Sequence, residues 1–106
     1  HDHVELSPIP EMLDVTRRYI GSLGALRHGV WDANRARKWE LVQKLAHQTR
    51  GNSRSCGFLT LADCAGAVED CIKEHGEVGG AVFEEFIAAL DRCAASTVRV
   101  PEMAPR

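Results

Sequence analysis

The string AHQTRGNSRSCG, residues 46–57, sets His47 three residues before Arg50 and four before Gly51, with a second arginine at position 54. At helical spacing His47 and Arg50 share one side of a helix, a turn apart, and Gly51 sits beside them. Nearby cations disfavour the imidazolium form, which keeps the ring neutral and nucleophilic near neutral pH. Arginine offers planar paired donors that fit phosphoryl oxygens. A solvent-facing histidine in this setting suits chemistry on a phosphoryl group. Gly51 poses the sharper question. A glycine inside a helix costs about 1 kcal/mol relative to alanine, so its place beside His47 needs a reason.

The helix that must carry these residues has an apolar stripe of Leu41, Val42, Leu45, Thr49, Ser53 and Cys56. With Leu45 as origin and about 100° per residue, the stripe stays within roughly 80° of it, while His47 falls near roughly 200°. Gln43, Arg50 and Arg54 fall at roughly 140–180°, and Gly51 at roughly 240°. His47 is therefore expected on the outward face. A glycine on that face is better explained by something approaching from outside than by close packing within the chain.

Helical spacing recurs four times, and no stretch alternates convincingly with period two. The first pattern (Ile9, Met12, Leu13, Thr16, Tyr19, Ile20, Leu23, Leu26) opens behind SPIP, where proline suits a first turn, and fades at Gly29. The second is expected from about Asn34 to about Cys56, capped within Asp32–Asn34. The third (Phe58, Leu61, Ala65, Val68, Ile72) has Thr60 and Asp63 spaced as a capping box and Gly76 as its C-cap. The fourth is Val82, Phe83, Phe86, Ile87, Leu90, Cys93 and Ala94. Short polar or glycine-bearing links predict an all-α, antiparallel four-helix bundle, up-down-up-down, with His47 exposed on the second helix. Its extent is expected as residues 9–95, between a flexible N-terminus (1–8) and a flexible tail (96–106). Trp31 and Trp39 are expected to shield one end of the core.

Composition narrows the classes. The chain has 106 residues, 44% of them hydrophobic, which suits one compact domain. No apolar run approaches the roughly 20 residues that cross a bilayer, and HDHVELSP lacks the core of a signal peptide. Cys56, Cys64, Cys71 and Cys93 fit neither a paired zinc spacing nor a disulfide framework, and read as reduced core residues of a cytosolic protein. His1 with His3, or Cys71 with His75, lack the further ligands a metal site needs. Residues 33–62 carry six bases against Glu40 alone, and residues 63–92 carry eight acids against two bases. This asymmetry fits either an anionic partner for the basic helix or a match between neighbouring helices. A nucleic-acid partner is disfavoured by the absence of interleaved aromatics on the basic face and a net charge of −2.

His47, Arg50, Gly51, Ser53, Gly57 and Leu61 together resemble the signature of histidine-containing phosphotransfer (HPt) domains, and AHQTRGNSRSCG is particularly similar to plant and hybrid-kinase versions. LVQKLAHQ before it and LADCAGAVED after it fit the family's helices, and the resemblance spans roughly residues 9–95. It implies a four-helix phosphocarrier rather than an enzyme. Its histidine accepts a phosphoryl group from a receiver-domain aspartate and passes it to another receiver, which supplies the acidic pocket and the magnesium. Carried over, His47 is the phosphoacceptor through Nε2 and Arg50 stabilises phosphoryl charge. Gly51 admits the partner. From their place around the second helix, and not from the motif, Gln43, Lys44 and Arg54 are also expected to be partner-binding, Gln43 by a hydrogen bond to the ring or a partner and Arg54 as an added cation. Ser53, Gly57 and Leu61 match structural positions. The resemblance implies no cofactor or metal of the chain's own. It implies receiver domains or a hybrid sensor histidine kinase as partners, no membrane insertion, a monomer, and a cytoplasmic location. Arginine stands where lysine is commoner, and Asn52 and Arg54 stand where small residues are frequent. Two other readings compete: the phosphoacceptor domain of a chemotaxis-type histidine kinase, and a non-catalytic helical binding module. The second sits poorly with a retained His47.

Overall fold

The structure, a computed structural model, describes residues 5–6 and 12–98. Among them lie four α-helices: α1 (Leu13–Arg35), α2 (Trp39–Ser55), α3 (Leu59–His75) and α4 (Gly80–Ala94). Two short strands, β1 (Glu5–Leu6) and β2 (Thr97–Val98), pair in parallel, Glu5 with Thr97 and Leu6 with Val98. The proposed helix start at Pro8 and Pro10, and most of the two termini, lie outside the described residues.

The core fills from all four helices. Leu23 and Val30 of α1, Val42 and Ala46 of α2, Leu61, Ala65 and Val68 of α3, and Phe86 and Leu90 of α4 are fully buried. Burying each large aliphatic or aromatic side chain stabilises the fold by roughly 1.5–3 kcal/mol. The two tryptophans differ in their cover. Trp31 is partly exposed and tilts onto Phe83 with ring centroids 6.2 Å apart, whereas Trp39 packs against the core cluster.

The boundary between the first two helices differs from the sequence expectation. α1 does not fade at Gly29 but continues to Arg35, and α2 starts at Trp39 rather than near Asn34. The apolar stripe of α1 runs on through Val30 and Ala33, both buried, and this outweighs the weak stop signal of one glycine. Asp32 and Asn34 therefore belong to the last turn of α1 and do not cap α2. Their carbonyls accept from Ala36 and Arg37, closing the first helix.

The break comes instead at Arg37, a non-glycine residue at φ 56°. The same turn is built a second time with glycine: Gly57 has φ 88°, and the residues that follow the two, Lys38 and Phe58, have nearly equal backbone angles. In both links the residue after the left-handed one donates its N–H back to a carbonyl of the preceding helix, Lys38 to Ala33 and Phe58 to Ser53. α3 opens at Leu59 behind Phe58 with no side-chain cap, so Thr60 and Asp63 do not form the expected capping box. Thr60 already lies inside the first turn. Gly76, at φ 81°, closes α3 with its N–H on the Ile72 carbonyl, as read from the sequence.

The buried side of α2 is also turned relative to expectation. Val42, Ala46, Thr49 and Ser53 are buried, whereas Leu41 is 41% exposed. The stripe's centre thus lies roughly 70° from Leu45, towards Ala46. That rotation leaves Gly51 pointing fully outward and brings Arg50 to the flank facing α3. It is what assembles the site.

Candidate functional site

His47 projects from the middle of α2 with 71% of its side chain exposed. Its Nδ1 lies 2.7 Å from Oε2 of Glu69 on α3, a carboxylate only 3% exposed. Glu69 also meets Lys73, one turn on, whose Nζ is 3.1 Å from the same oxygen. Arg50 approaches the other side, with Nη1 3.5 Å from Oε1. Among the described residues Oε1 is buried with no hydrogen-bond partner, so Arg50 is held by charge at slightly longer range.

The charge state of Glu69 decides what this network does. Burial alone pushes its pKa up, but the contacts and charges of Lys73 and His47 outweigh burial and hold the carboxyl below its ordinary value. Near neutral pH the group is therefore an ionised acceptor. Nδ1 of His47 must then carry the hydrogen it donates, and in the neutral form of the ring this leaves the lone pair on Nε2. In that form the ring is a nucleophile with one nitrogen tied to a buried anchor. This is the arrangement in which one tautomer is fixed by a carboxylate and the reactive nitrogen is left free.

The other residues singled out in the sequence fall into two groups. Gly51 lies on the exposed face of α2, and a Cβ placed there would meet nothing within 4 Å among the described residues, none of which requires glycine at that position. Gln43 and Lys44 line an open groove with Glu40, His47, Glu69 and Lys73. Arg54 lies one turn beyond Arg50, with Nη2 3.7 Å from Asp63. The charge asymmetry between the two halves is thus partly met inside the chain, by Arg54 with Asp63 and Arg50 with Glu69. Ser53, Gly57 and Leu61 make no contact in the network around Glu69. Ser53 is buried and shares a 2.7 Å hydrogen bond with the Tyr19 hydroxyl, Gly57 makes the left-handed turn that ends α2, and Leu61 is fully buried.

Sequence reasoning missed Glu69, Lys73 and Glu40. Glu69 carried a usable signal. It stands four residues after Ala65 and three before Ile72, a lone acid inside the apolar stripe of α3. Buried carboxylates are seldom left unpaired, so its cationic or imidazole partner was worth seeking on the neighbouring helix. Cys71 and His75 join no metal centre: among the described residues no group of three or more His, Cys, Asp or Glu is arranged to hold an ion. The cysteines are free, and burial pushes the Cys93 thiol up to about 11. No helix among the described residues is long and apolar enough to cross a membrane.

No curated protein and no solved structure matches this chain. The family model described as the Hpt domain does, over residues 10–97, a span that contains α1 to α4 and every residue of the network around His47. Most of the chain thus lies within that match, and the protein belongs to the Hpt domain family, the histidine phosphotransfer modules of two-component phosphorelays.

Proposed function

We propose that His47 accepts a phosphoryl group on Nε2 from the phospho-aspartate of one receiver domain and passes it to the aspartate of another. The observation that carries this reading is the short contact between Nδ1 and the buried, ionised Glu69 on an otherwise exposed ring. In the forward step the Nε2 lone pair attacks phosphorus, the N–P bond forms, and the acyl-phosphate O–P bond breaks with its electron pair returning to the aspartate carboxylate. The ring becomes cationic as it does so. Its proton stays on Nδ1, where the Glu69 carboxylate faces the new positive charge. No proton has to leave, so the step reverses readily towards a second receiver.

Arg50 faces the transferring oxygens and offsets their charge. Gly51 leaves the approach path open, and Gln43, Lys44 and Arg54 border the docking face. The receiver brings the acidic pocket and the magnesium, and this chain acts as a carrier rather than a catalyst. The helices alternate in direction, up-down-up-down. Support for this comes from two descending series of contacts: Arg27–Asp91 with Trp31–Phe83, and His47–Glu69 with Arg54–Asp63. A monomer in the cytoplasm, where receivers and hybrid kinases present their phosphorylated domains, belongs to the same reading.

Incubation with phosphorylated receivers tests it. The expected product is a phosphoramidate lost in acid and stable in base, on His47 alone. His28 and His75 lack the arginine–glycine setting and should stay unlabelled. His47→Gln should abolish labelling with the helical spectrum intact, since exposed substitutions shift stability by about 0.5 kcal/mol or less. Undiminished labelling of that variant would place the acceptor elsewhere. Labelling only by a kinase core, and by no receiver, would favour the chemotaxis-type reading.

A further inference from the structure

Gly51 is not the only helix-interior glycine near the site. Gly66 sits inside α3, three residues before Glu69, where alanine is the better helix former. Its surroundings are the opposite of those at Gly51. A Cβ on Gly51 would enter open space, whereas a Cβ on Gly66 would stand 3.2 Å from Nε of Arg50 and 3.4 Å from its Cδ and Cζ. Gly66 is buried, although Arg50 beside it is only about half covered, with 46% of its side chain exposed. The end of the Arg50 side chain therefore lies down on α3 across the bare backbone of Gly66. From that position Nη1 reaches the Glu69 carboxylate.

We infer that Gly66 is the seat that positions Arg50: by lacking a side chain, it lets the guanidinium lie between α2 and α3 beside His47. This role deepens the phosphotransfer reading above and rests on it. A flexible cation one turn from the histidine would otherwise spend much of its time extended into solvent, as long side chains lose entropy when held. Seated on Gly66 and drawn by Glu69, it is already close to where phosphoryl oxygens would arrive. The three atoms nearest a Cβ at Gly66 all belong to Arg50, so Gly66 acts through Arg50 as a positioning residue.

The test is a cycle of Gly66→Ala, Gly66→Leu and Arg50→Ala, singly and combined, read by rapid-quench transfer from a phosphorylated receiver. Gly66→Ala, which asks Arg50 to give by only a few tenths of an ångström, should slow transfer about threefold or less, and Gly66→Leu should approach the loss seen for Arg50→Ala, about tenfold or more. In the Arg50→Ala background neither change at position 66 should slow transfer further. The Arg50 Nε–H resonance, followed by NMR without any partner, should move towards that of free arginine in Gly66→Leu, and by less in Gly66→Ala. Wild-type rates in both Gly66 variants would overturn the inference, as would an equal loss with Arg50 already removed or an unmoved Nε–H signal. If the wild-type protein took no label at His47, the phosphotransfer reading would fall by itself, and the NMR signal would still decide whether Gly66 seats Arg50.

Discussion

Two faces of this bundle carry ion pairs across helices, and they do different things. On the face formed by α1 and α4, Arg27 Nε meets Asp91 at 2.6 Å, and the Arg27 guanidinium stacks on Trp31 at 5.5 Å, which in turn packs on Phe83. Among the described residues each charge has one ionic partner, and both remain in solvent. On the face formed by α2 and α3, one almost fully buried carboxylate collects a histidine, a lysine and an arginine, and among the described residues one of its oxygens still lacks a hydrogen bond. The first arrangement is what a surface settles into. The second costs desolvation of a carboxylate, and an apolar residue in that position of the stripe would serve the core as well or better. A charge buried where an apolar side chain would serve the fold as well points to function.

The largest effect should follow from removing that carboxylate. Glu69→Leu extends the apolar stripe of α3 and removes the buried charge, so thermal stability should hold or rise. Transfer through His47 should nonetheless fall roughly tenfold to a hundredfold, the scale of one charged hydrogen bond worth about 1.5–3 kcal/mol. The loss follows because nothing then fixes the Nδ1–H tautomer or faces the cationic ring. Rapid-quench kinetics beside a melting curve would measure both. Unchanged transfer would reduce Glu69 to a structural residue and erase the contrast between the faces.

Acid should sharpen the contrast. The folded-state pKa of Glu69 lies below its ordinary value, so its ionised network contributes stability that is fully present above the unfolded value. That contribution is lost as pH falls through the folded one. Glu69→Gln keeps the shape without the titration. Wild type should therefore lose stability relative to Glu69→Gln as pH is lowered through and below the ordinary carboxylate range, and should not do so between pH 6 and 8. Urea titrations of both proteins at stepped pH would show it. A constant difference across the acid range would mean that the carboxyl is not held ionised.

How much of this was legible beforehand follows from which interactions are local. The existence of four helices could be read because Leu23, Val42, Leu61 and Leu90 each recur with their neighbours at helical spacing. The αL turn at Gly76 was written in a single residue. The α1–α2 boundary was not, because a left-handed Arg37 has no sequence signature, whereas Gly29 and Asn34 offered false ones. At the site, His47, Arg50 and Gly51 lie within five consecutive residues and could be read together. Glu69 and Gly66 come from the next helix and could not. Their pairing depends on the rotation of α2 towards Ala46, and a small residue in the buried stripe escapes a count of leucines and valines.

Gly51 offers a smaller effect of opposite signs. Gly51→Ala should raise stability by up to about 1 kcal/mol, because the position is helical, exposed and open around its Cβ. Gly51→Gln should also fold well, yet weaken receiver docking, since its side chain would project beside His47 into the approach path. Denaturation and receiver-binding titrations separate the two. A Gly51→Gln variant that bound and transferred like wild type would show that this glycine admits nothing.

The smallest effect is expected on the other face. Asp91→Asn removes the ion pair with Arg27, whose partners are 38% and 54% exposed, while leaving the Arg27–Trp31 stacking in place. Exposed pairs of this kind typically contribute about 0.2–1 kcal/mol, because water screens the attraction and two side chains must be held to make it. The loss should shrink as salt is added, since screening already weakens the wild-type pair. Transfer through His47 should not change, because α4 supplies no residue to the network around Glu69. Urea midpoints at low and high salt, with transfer rates on the same preparations, would measure all three. A loss of transfer comparable to that of Glu69→Leu would mean that the two faces are coupled through the core. The buried carboxylate would then be only one part of a site that extends across the whole bundle.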